Sequence, residues 1–448
     1  MERTPAWGIE PVPARLRVLG LLDVGLLWGN LGVSLLVLVA GTYLVPALSL
    51  PDALLAIVVG AAIGCAMLAA AGLIGADARV PAMVLLRAPL GRVGSAAPTA
   101  LNVLQCLGWA VFELIIIAYA AAALSDELFG WEGRPFWTLV FGAVAAAMAF
   151  MGPLGVVRRF LRRYALWAVL ASLAYLTWWT LTNADMGELW AAEGQGGMTT
   201  WLGIDLVIAI TVSWVPLVAD YTRFSRDRRS ALVGSGVGYF LGATWMLLLG
   251  IVLMQTLSLQ DIVDLPAGVA AAGLGAALAL LAVTVDETDE AFANIYSTAV
   301  SAQNAVPGIP QRFLIVAVSA VATLGALTVE LRAYESFLLL LGSFFVPLLG
   351  VLLADWLIRG SAYRRPDFFE APPARPALIA SWLGGFALYH WLHEPPLGPN
   401  WWVDVVERTH QPALGIGASL PSFAAAFCLA IAASALSRRR SPVAAYPS

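Results

Sequence analysis

An acidic segment lies inside an otherwise apolar stretch of the chain, in the run VTVDETDEAFAN. At 100° per residue, its carboxylates spread over roughly 160° of a helix circumference, so they cannot all face lipid. Close carboxylates in a membrane cannot all stay ionised, so we expect them to take up protons or hold a cation, and oxygen ligands suit Na⁺ or a proton relay. The alternative is a wet vestibule with solvated charges. The candidate cation-coupling residues here are Asp286, Glu287, Thr288, Asp289 and Glu290, and Asn294 is a candidate substrate-binding residue.

A tryptophan and a glutamate share one face of a second apolar stretch, LNVLQCLGWAVFELIII. Trp109 and Glu113 are four residues apart, about one helical turn. A carboxylate at the bilayer centre is expensive and marks a functional site by default, and an indole one turn away offers a flat stacking surface. Together they suit a planar, hydrogen-bonding solute. The alternative is that Trp109 packs in the bundle and Glu113 pairs with a neighbouring helix.

Two further apolar segments carry interruptions near their centres. The first reads LLWGNLGVS and contains Asn30 and Gly32; the other reads TVSWVPLVADYTRF and contains Ser213, Trp214 and Pro216. Glycine and proline weaken a helix, and lipid tolerates an unwound segment only where it lines a protein or water cavity. A pair of broken helices of opposite orientation is typical of transporters built from inverted repeats. The alternative is close packing at glycine and a simple kink at proline.

The end of the second interrupted segment carries a charged pair. Asp220 and Arg223 are three residues apart, close enough to interact along a helix. We predict that they form an inner gate. The alternative is an end-of-helix ion pair that anchors the segment at the membrane surface.

The composition requires that these segments lie in a membrane. Of 448 residues, 60% are hydrophobic and 12% charged, with a mean hydropathy of +0.81, whereas soluble domains carry about 25% charged residues. No GxxxxGK[ST] phosphate loop is present, so ATP-driven transport is not expected. We predict an all-α fold of about 12 transmembrane helices. The apolar runs cover 19–44, 53–74, 97–124, 136–151, 164–181, 201–219, 232–257, 267–300, 313–329, 337–358, 378–391 and 414–436.

The arginines predict the orientation of the chain. With the N-terminus inside, only Arg134, Arg332 and Arg408 of the 25 basic residues fall in outer loops. This is the bias towards positive cytoplasmic loops. We therefore expect a multi-pass protein of the cell (inner) membrane with both termini in the cytoplasm.

The segments LLWGNLGVS, GLIGADARVPAMVLLRAPLGRVGS, NVLQCLGW, SWVPLVADYTRF and IYSTAVS resemble the nucleobase:cation symporter family. Its members are permeases for cytosine, purines, allantoin, hydantoins and thiamine-precursor pyrimidines. The resemblance implies a LeuT-like fold of two inverted five-helix repeats with broken helices 1 and 6, plus two C-terminal helices. On that basis we divide a single domain, 1–448, into repeat one at about 18–182, repeat two at about 199–358 and extra helices at about 376–436.

The resemblance also implies roles for individual residues. The stacking tryptophans of the family correspond to Trp109 and Trp214, and the polar residue after the first, often an amide, corresponds to Glu113. The family's sodium site uses backbone carbonyls of broken helix 1, near Gly32, with hydroxyls on helix 8. Those hydroxyl positions correspond here to Glu287 and Thr288, so a carboxylate replaces one hydroxyl.

Together, these features predict a secondary active importer of a small planar nitrogen heterocycle, coupled to Na⁺ or H⁺ by alternating access. Trp109 and Trp214 would sandwich the ring, and Glu113, Asn30, Ser213 and Asn294 would bind its edge. The expected partners are the heterocycle and the lipid bilayer, with no nucleic acid, cofactor, metal or catalytic residue; the oligomeric state stays open. Two alternatives remain at this stage: an intramembrane enzyme using Mg²⁺ on the acidic segment from Asp286 to Glu290, and a receptor that binds without transporting.

Overall fold

The computed structural model describes residues 8–156, 166–259, 261–306, 308–331, 334–393, 400–409 and 417–440. These residues form helices and contain no strand. The α-helices are α1 Leu21–Leu31, α2 Leu35–Thr42, α3 Leu50–Ala78, α4 Ala82–Leu85, α5 Arg87–Leu90, α6 Ala96–Phe129, α7 Arg134–Val156, α8 Leu166–Asn183, α9 Met186–Ala191, α10 Thr200–Val212, α11 Val215–Thr222, α12 Arg228–Thr256, α13 Leu265–Ala271, α14 Leu274–Asp286, α15 Thr288–Ala305, α16 Gln311–Ala326, α17 Tyr334–Ile358, α18 Arg365–Phe369, α19 Pro376–Leu392, α20 Asn400–Thr409 and α21 Ser419–Arg440.

Several of these helices are long and apolar enough to cross a membrane. Within the described ranges there are 7 such spans by length and composition, or 8 if the bent pair α1 and α2 counts as one. The predicted number of about 12 crossings therefore remains a prediction. The 7 spans are Leu50–Ala78, Ala96–Phe129, Arg134–Gly152, Thr200–Thr222, Arg228–Thr256, Leu340–Ile358 and Ser419–Leu436.

The first predicted interruption is a break between two helices. α1 ends at Leu31 and α2 begins at Leu35, and their axes differ by 54°. Ser34 caps α2, because its hydroxyl oxygen accepts hydrogen bonds from the backbone N–H groups of Leu36 and Val37. The break thus leaves the N-terminus of α2 inside the protein.

The second predicted interruption lies at Ser213 and Trp214, between α10 and α11. Pro216 is the second residue of α11, a position where its missing N–H costs no helical hydrogen bond. The two helices still form one apolar span, Thr200–Thr222, without a bend as sharp as the first. The pair α10 and α11 is therefore interrupted but is not bent as sharply as the pair α1 and α2.

The apolar run that contains the acidic segment forms more helices than the sequence predicts. The predicted single helix over 267–300 is split among α13, α14 and α15. Gly273 separates the first two at φ = +121°, a conformation that only glycine adopts readily. Glu287 separates the last two, and the N–H of Glu290 donates to its carbonyl in a tighter, three-residue turn. The first junction lies within an unbroken apolar run, so hydropathy could not reveal it, and the second lies inside the acidic segment itself.

The helices pack into two main groups. α1, α2, α3, α10, α11 and α12 contact one another extensively and form the broken-helix group. α6, α7, α14, α15 and α16 form the acidic group, in which α15 packs along α6. α17, α19 and α21 pack together beside them, with α17 against α10. The site described below lies where the first two groups meet.

Glycines allow the broken pair to approach α12 closely. A Cβ at Gly242 would lie 2.2 Å from the backbone oxygen of Gly29, and one at Gly250 would lie 2.0 Å from that of Leu38. A backbone oxygen cannot move aside as a flexible side chain can. Both contacts therefore require glycine.

We expect Gly250→Ala to destabilise the protein by about 1–3 kcal/mol, the usual cost of overpacking. The measurement is the apparent melting temperature of the detergent-purified protein. Gly308→Ala serves as the matched control, because Gly308 is exposed and a Cβ there would meet nothing within 4 Å. Equal melting temperatures for the two variants would contradict the predicted contact.

Candidate functional site

Asn30, the last polar residue of α1, binds two of the acidic side chains. Its amide nitrogen donates to Oδ2 of Asp286 at 2.9 Å and to Oδ2 of Asp289 at 2.8 Å. All three residues are buried. One amide thus holds two carboxylates side by side and connects the broken helix to the acidic segment.

Glu287 binds the buried N-terminus of α2. Its Oε1 accepts a hydrogen bond of 2.8 Å from the Ser34 hydroxyl, and its Oε2 accepts one of 2.7 Å from the backbone N–H of Leu35. Negative charge is favourable at a helix N-terminus, where backbone N–H groups lack partners. The carboxylate therefore adds to the cap that Ser34 provides, by binding the Ser34 hydroxyl and the one N–H of Leu35.

Glu113 of α6 joins this cluster from another helix. One carboxylate oxygen from each of Glu113, Glu287 and Glu290 lies within 4.8 Å of the other two. The three residues are at most 2% exposed, so the solvated vestibule considered above does not describe them. Such a set of oxygens has the geometry to hold a cation or to share protons.

No positive side chain compensates these acids within the described ranges. The ion pairs found there involve Asp77, Asp355, Asp367 and Glu10, all outside the cluster. Oε2 of Glu113 and Oε1 of Glu290 have no hydrogen-bond partner among the described residues. Buried, unpaired carboxylate oxygens are costly, which favours a bound proton or ligand at this point.

The two predicted stacking tryptophans are both buried and belong to separate aromatic clusters. The Trp109 ring lies 5.5 Å from the Tyr334 ring and 5.6 Å from the Phe337 ring, both on α17. The Trp214 ring lies 5.8 Å from that of Trp28 and 6.3 Å from that of Tyr239. Trp214 thus packs within the broken-helix group, whereas Trp109 packs between α6 and α17.

Gln105 connects these two regions, and sequence reasoning did not single it out. It lies one turn before Trp109, and its amide nitrogen donates to the backbone oxygen of Ser213, the residue before Trp214. The carbonyl that it binds lies at the interruption between α10 and α11. The sequence does contain a signal for Gln105, because it is a polar residue inside the segment NVLQCLGW and lies on the same helix face as Trp109. The aromatic partners Trp28, Tyr239, Tyr334 and Phe337 were also missed.

Three predicted ligands hydrogen-bond to backbone oxygens three or four residues earlier in the chain. The hydroxyls of Ser213 and Thr288 donate to the backbone oxygens of Ile210 and Val285, both at 2.6 Å. The Asn294 amide nitrogen donates to the backbone oxygen of Glu290 at 3.3 Å, and its Oδ1 has no partner among the described residues. Of the three, Asn294 is the one that retains an unpaired side-chain oxygen for a ligand.

Gly32 lies at the break after α1, packed against α12. A Cβ there would be 2.7 Å from the Ala243 nitrogen and 2.9 Å from the Tyr239 oxygen. Its backbone N–H donates to the carbonyl oxygens of Trp28 and Asn30 at the end of α1. The absence of a side chain at Gly32 is thus a packing requirement as well as a feature of the break.

The predicted gate residues are buried and hold neighbouring segments. Oδ1 of Asp220 accepts a hydrogen bond of 2.9 Å from the Ala82 backbone N–H. Arg223 donates to the Asp220 backbone oxygen at 3.1 Å, to the Gly8 backbone oxygen at 2.8 Å and to the Tyr296 hydroxyl at 3.1 Å. Together they tie α11 to α4, to α15 and to the segment before α1.

Comparison with known proteins agrees with this architecture. The family model described as "Permease for cytosine/purines, uracil, thiamine, allantoin" matches residues 11–369. A hydantoin permease of Microbacterium maritypicum is 24% identical over 46% of this chain and 41% of its own length. A cytosine permease of Escherichia coli (strain K12) is 25% identical over 43% of this chain and 44% of its own length. The match thus spans less than half of each curated relative.

Solved structures show the same fold over nearly the whole chain. Mhp1, a nucleobase-cation-symport-1 family transporter in a closed conformation with bromovinylhydantoin bound, aligns with a TM-score of 0.77 at 18% identity. The alignment covers 98% of this chain and 96% of that one. MhsT in complex with L-phenylalanine aligns with a TM-score of 0.57 at 15% identity, covering 91% and 98%. The predicted LeuT-like fold class is therefore confirmed. The chain belongs to the family of permeases for cytosine/purines, uracil, thiamine and allantoin.

Proposed function

We propose that this multi-pass membrane transporter imports a pyrimidine or purine nucleobase, or a thiamine-precursor pyrimidine, together with Na⁺ or H⁺. Membership of a permease family supports a transporter over the alternative of an intramembrane enzyme. One observation carries the substrate assignment: the buried carboxylate of Glu113 lies one turn from Trp109 and meets the acidic segment at the break of α1. The relatives are a hydantoin permease and a cytosine permease, which supports a planar heterocycle as the substrate.

In this proposal the ring lies between the Trp109 and Trp214 regions. Aromatic faces bind any planar ring, so they set affinity more than identity. Identity comes from the polar groups at the ring edge, for which we propose Glu113, Asn30, Ser213 and Asn294. A ring that lacks a required donor would leave a buried acceptor unpaired, which is how such sites discriminate.

Coupling is assigned to the contacts between α1, α2 and the acidic segment. We propose that Asp286, Glu287, Asp289 and Glu290 bind the coupling proton or sodium ion, with Thr288 and the carbonyls near Gly32. We propose that Asp220 and Arg223 close the substrate site on its cytoplasmic side. This assignment assumes a protein of the cell (inner) membrane with both termini in the cytoplasm. An ion drives transport when it favours the conformation that binds substrate.

The test is uptake of radiolabelled cytosine, hypoxanthine and a 4-aminopyrimidine by proteoliposomes that contain the purified protein. Accumulation above the external concentration, without chemical change of the ligand, supports a transporter with this substrate class. Tight binding with no accumulation would favour the receptor alternative instead. Empty liposomes are the control for passive entry.

The same preparation identifies the coupling ion. With Na⁺ as the partner, substrate affinity should rise with Na⁺ concentration at fixed pH, because ion and substrate favour the same state. With H⁺ as the partner, an inward proton gradient should drive uptake in Na⁺-free buffer. Uptake that is indifferent to both ions would contradict coupling and indicate a uniporter.

A further inference from the structure

The hydrogen bonds of the five clustered carboxylates separate those that the break of α1 and α2 holds from those that it does not hold. Asp286 and Asp289 share the amide of Asn30. Glu287 accepts hydrogen bonds at both of its oxygens, from the Ser34 hydroxyl and the Leu35 N–H. These three carboxylates are therefore engaged by the break of α1 and α2, which leaves two others.

Glu113 and Glu290 are the two that remain. They are 1% and 2% exposed, they come from different helices, and their carboxylates meet within 4.8 Å together with that of Glu287. Oε2 of Glu113 and Oε1 of Glu290 each lack a partner in the part of the chain that the structure describes. A carboxylate offers only acceptors, so whatever binds between them has to bring hydrogen-bond donors.

The surroundings of this pair are aromatic rather than basic. The Trp109 ring lies one turn along α6 from Glu113 and contacts Tyr334 and Phe337. Aromatic faces attract a flat cation through the ring quadrupole, and neighbouring carboxylates bind it by charge-assisted hydrogen bonds. A bare metal ion would use the carboxylates but leave the aromatic surface without a role.

We propose that the ligand edge bound by Glu113 and Glu290 is an amidine: an exocyclic amino group beside a protonated ring nitrogen. This deepens the proposed function and rests on it. The proton that the two carboxylates would otherwise share moves to the ring nitrogen, so a neutral ligand and a protonated glutamate become an amidinium and a carboxylate with no change in total charge. A ring that presents a carbonyl at this edge cannot take up the proton, so it forms only neutral hydrogen bonds with the pair and binds more weakly.

The experiment compares matched ligands on the purified wild-type protein. The first pair is 4-aminopyrimidine and 4-pyrimidinone, and the second is benzamidine and benzamide; in both pairs one nitrogen of the amidine is replaced by a carbonyl oxygen. Dissociation constants come from tryptophan fluorescence or calorimetry. We expect the amidine member of each pair to bind at least about tenfold more tightly, as charge-assisted hydrogen bonds allow. A smaller preference, or a preference for the carbonyl member, would overturn the proposal.

Variants test which residues carry this preference. Glu113→Gln and Glu290→Gln keep the side-chain shape and replace an acceptor by a donor, so each should reduce the preference for benzamidine over benzamide at least about tenfold and strengthen binding of 4-pyrimidinone. Asp264→Asn removes an exposed carboxylate and should leave both ratios unchanged. An unchanged ratio in both glutamine variants would overturn the assignment to this pair. The wild-type comparison stands on its own if a variant does not fold.

A comparison with metal ions distinguishes an amidine site from a metal site. Mn²⁺ and Mg²⁺ at millimolar concentration should not raise the melting temperature of the ligand-free protein, whereas benzamidine should. Stabilisation by the metal alone, without any by benzamidine, would overturn the proposal in favour of a metal site. Failure of this inference can be distinguished from failure of the proposed function. A protein that accumulates uracil or hypoxanthine but prefers no amidine remains a heterocycle transporter. A protein that accumulates no heterocycle contradicts the proposed function itself.

Discussion

Trp109→Ala is expected to weaken heterocycle binding at least about tenfold and to remove measurable uptake. Stacking of one base on an aromatic side chain contributes about 1–3 kcal/mol, and alanine also removes the ring that contacts Tyr334 and Phe337. The Glu113 carboxylate then lacks the aromatic face one helical turn away. The measurements are the ligand dissociation constant and the initial rate of uptake in proteoliposomes.

Two variants separate stacking from general damage. Trp109→Phe keeps an aromatic face and should retain most of the affinity. Trp178→Ala removes an equally large ring from α8, where the side chain is 59% exposed and its position faces outward from the core, and it should bind ligand like the wild type. If Trp109→Ala binds ligand with wild-type affinity, the ring is not part of the substrate site.

Glu287→Ala is expected to lower the melting temperature and to abolish coupled uptake. The substitution leaves the Ser34 hydroxyl and the Leu35 N–H buried without their acceptor, and each unsatisfied group costs about 1–3 kcal/mol. Relief of repulsion among the acids is the smaller effect, because protons taken up by neighbouring carboxylates already reduce it. The two lost hydrogen bonds lie at the start of α2, where the broken helix meets the acidic segment.

Glu287→Gln provides the graded comparison. Its amide oxygen replaces one of the two acceptors, but its NH₂ group faces a second donor, so its melting temperature should lie between those of Glu287→Ala and the wild type. The readout is thermal unfolding in detergent together with Na⁺- and H⁺-dependent uptake. Wild-type stability of Glu287→Ala would show that this carboxylate does not hold α2.

The sequence was sufficient to predict the breaks. A Gly-Asn pair inside an apolar run weakens the helix and brings a polar group to the bilayer centre, and the structure ends α1 at Leu31, between Asn30 and Gly32. Ser213 and Pro216 gave the same signal in the second half, where α10 ends at Val212. Local chain chemistry determines such interruptions, so they can be seen without knowledge of the packing.

The composition of the site depended on contacts between distant parts of the chain. Tyr334 lies 225 positions after Trp109 and joins its aromatic cluster only because α17 packs beside α6. The bond between Asn30 and Asp286 spans 256 positions. Spacing along one helix placed Trp109 near Glu113, but no periodicity relates Glu113 to Glu290. These contacts follow from helix packing, which a single sequence does not specify.

The bonds from Asn30, Ser34 and Leu35 to the acidic segment, and from Gln105 to Ser213, all run between the broken-helix group and the acidic group. The glycine contacts with α12 make the broken pair move with its own group. We therefore expect that tilting one group against the other exchanges these same bonds, so that protonation of the carboxylates among them changes how strongly the two groups are held together. We expect that protons, ions or substrate bound at this contact between the two groups determine how fast the groups reorient, as well as how tightly the substrate binds.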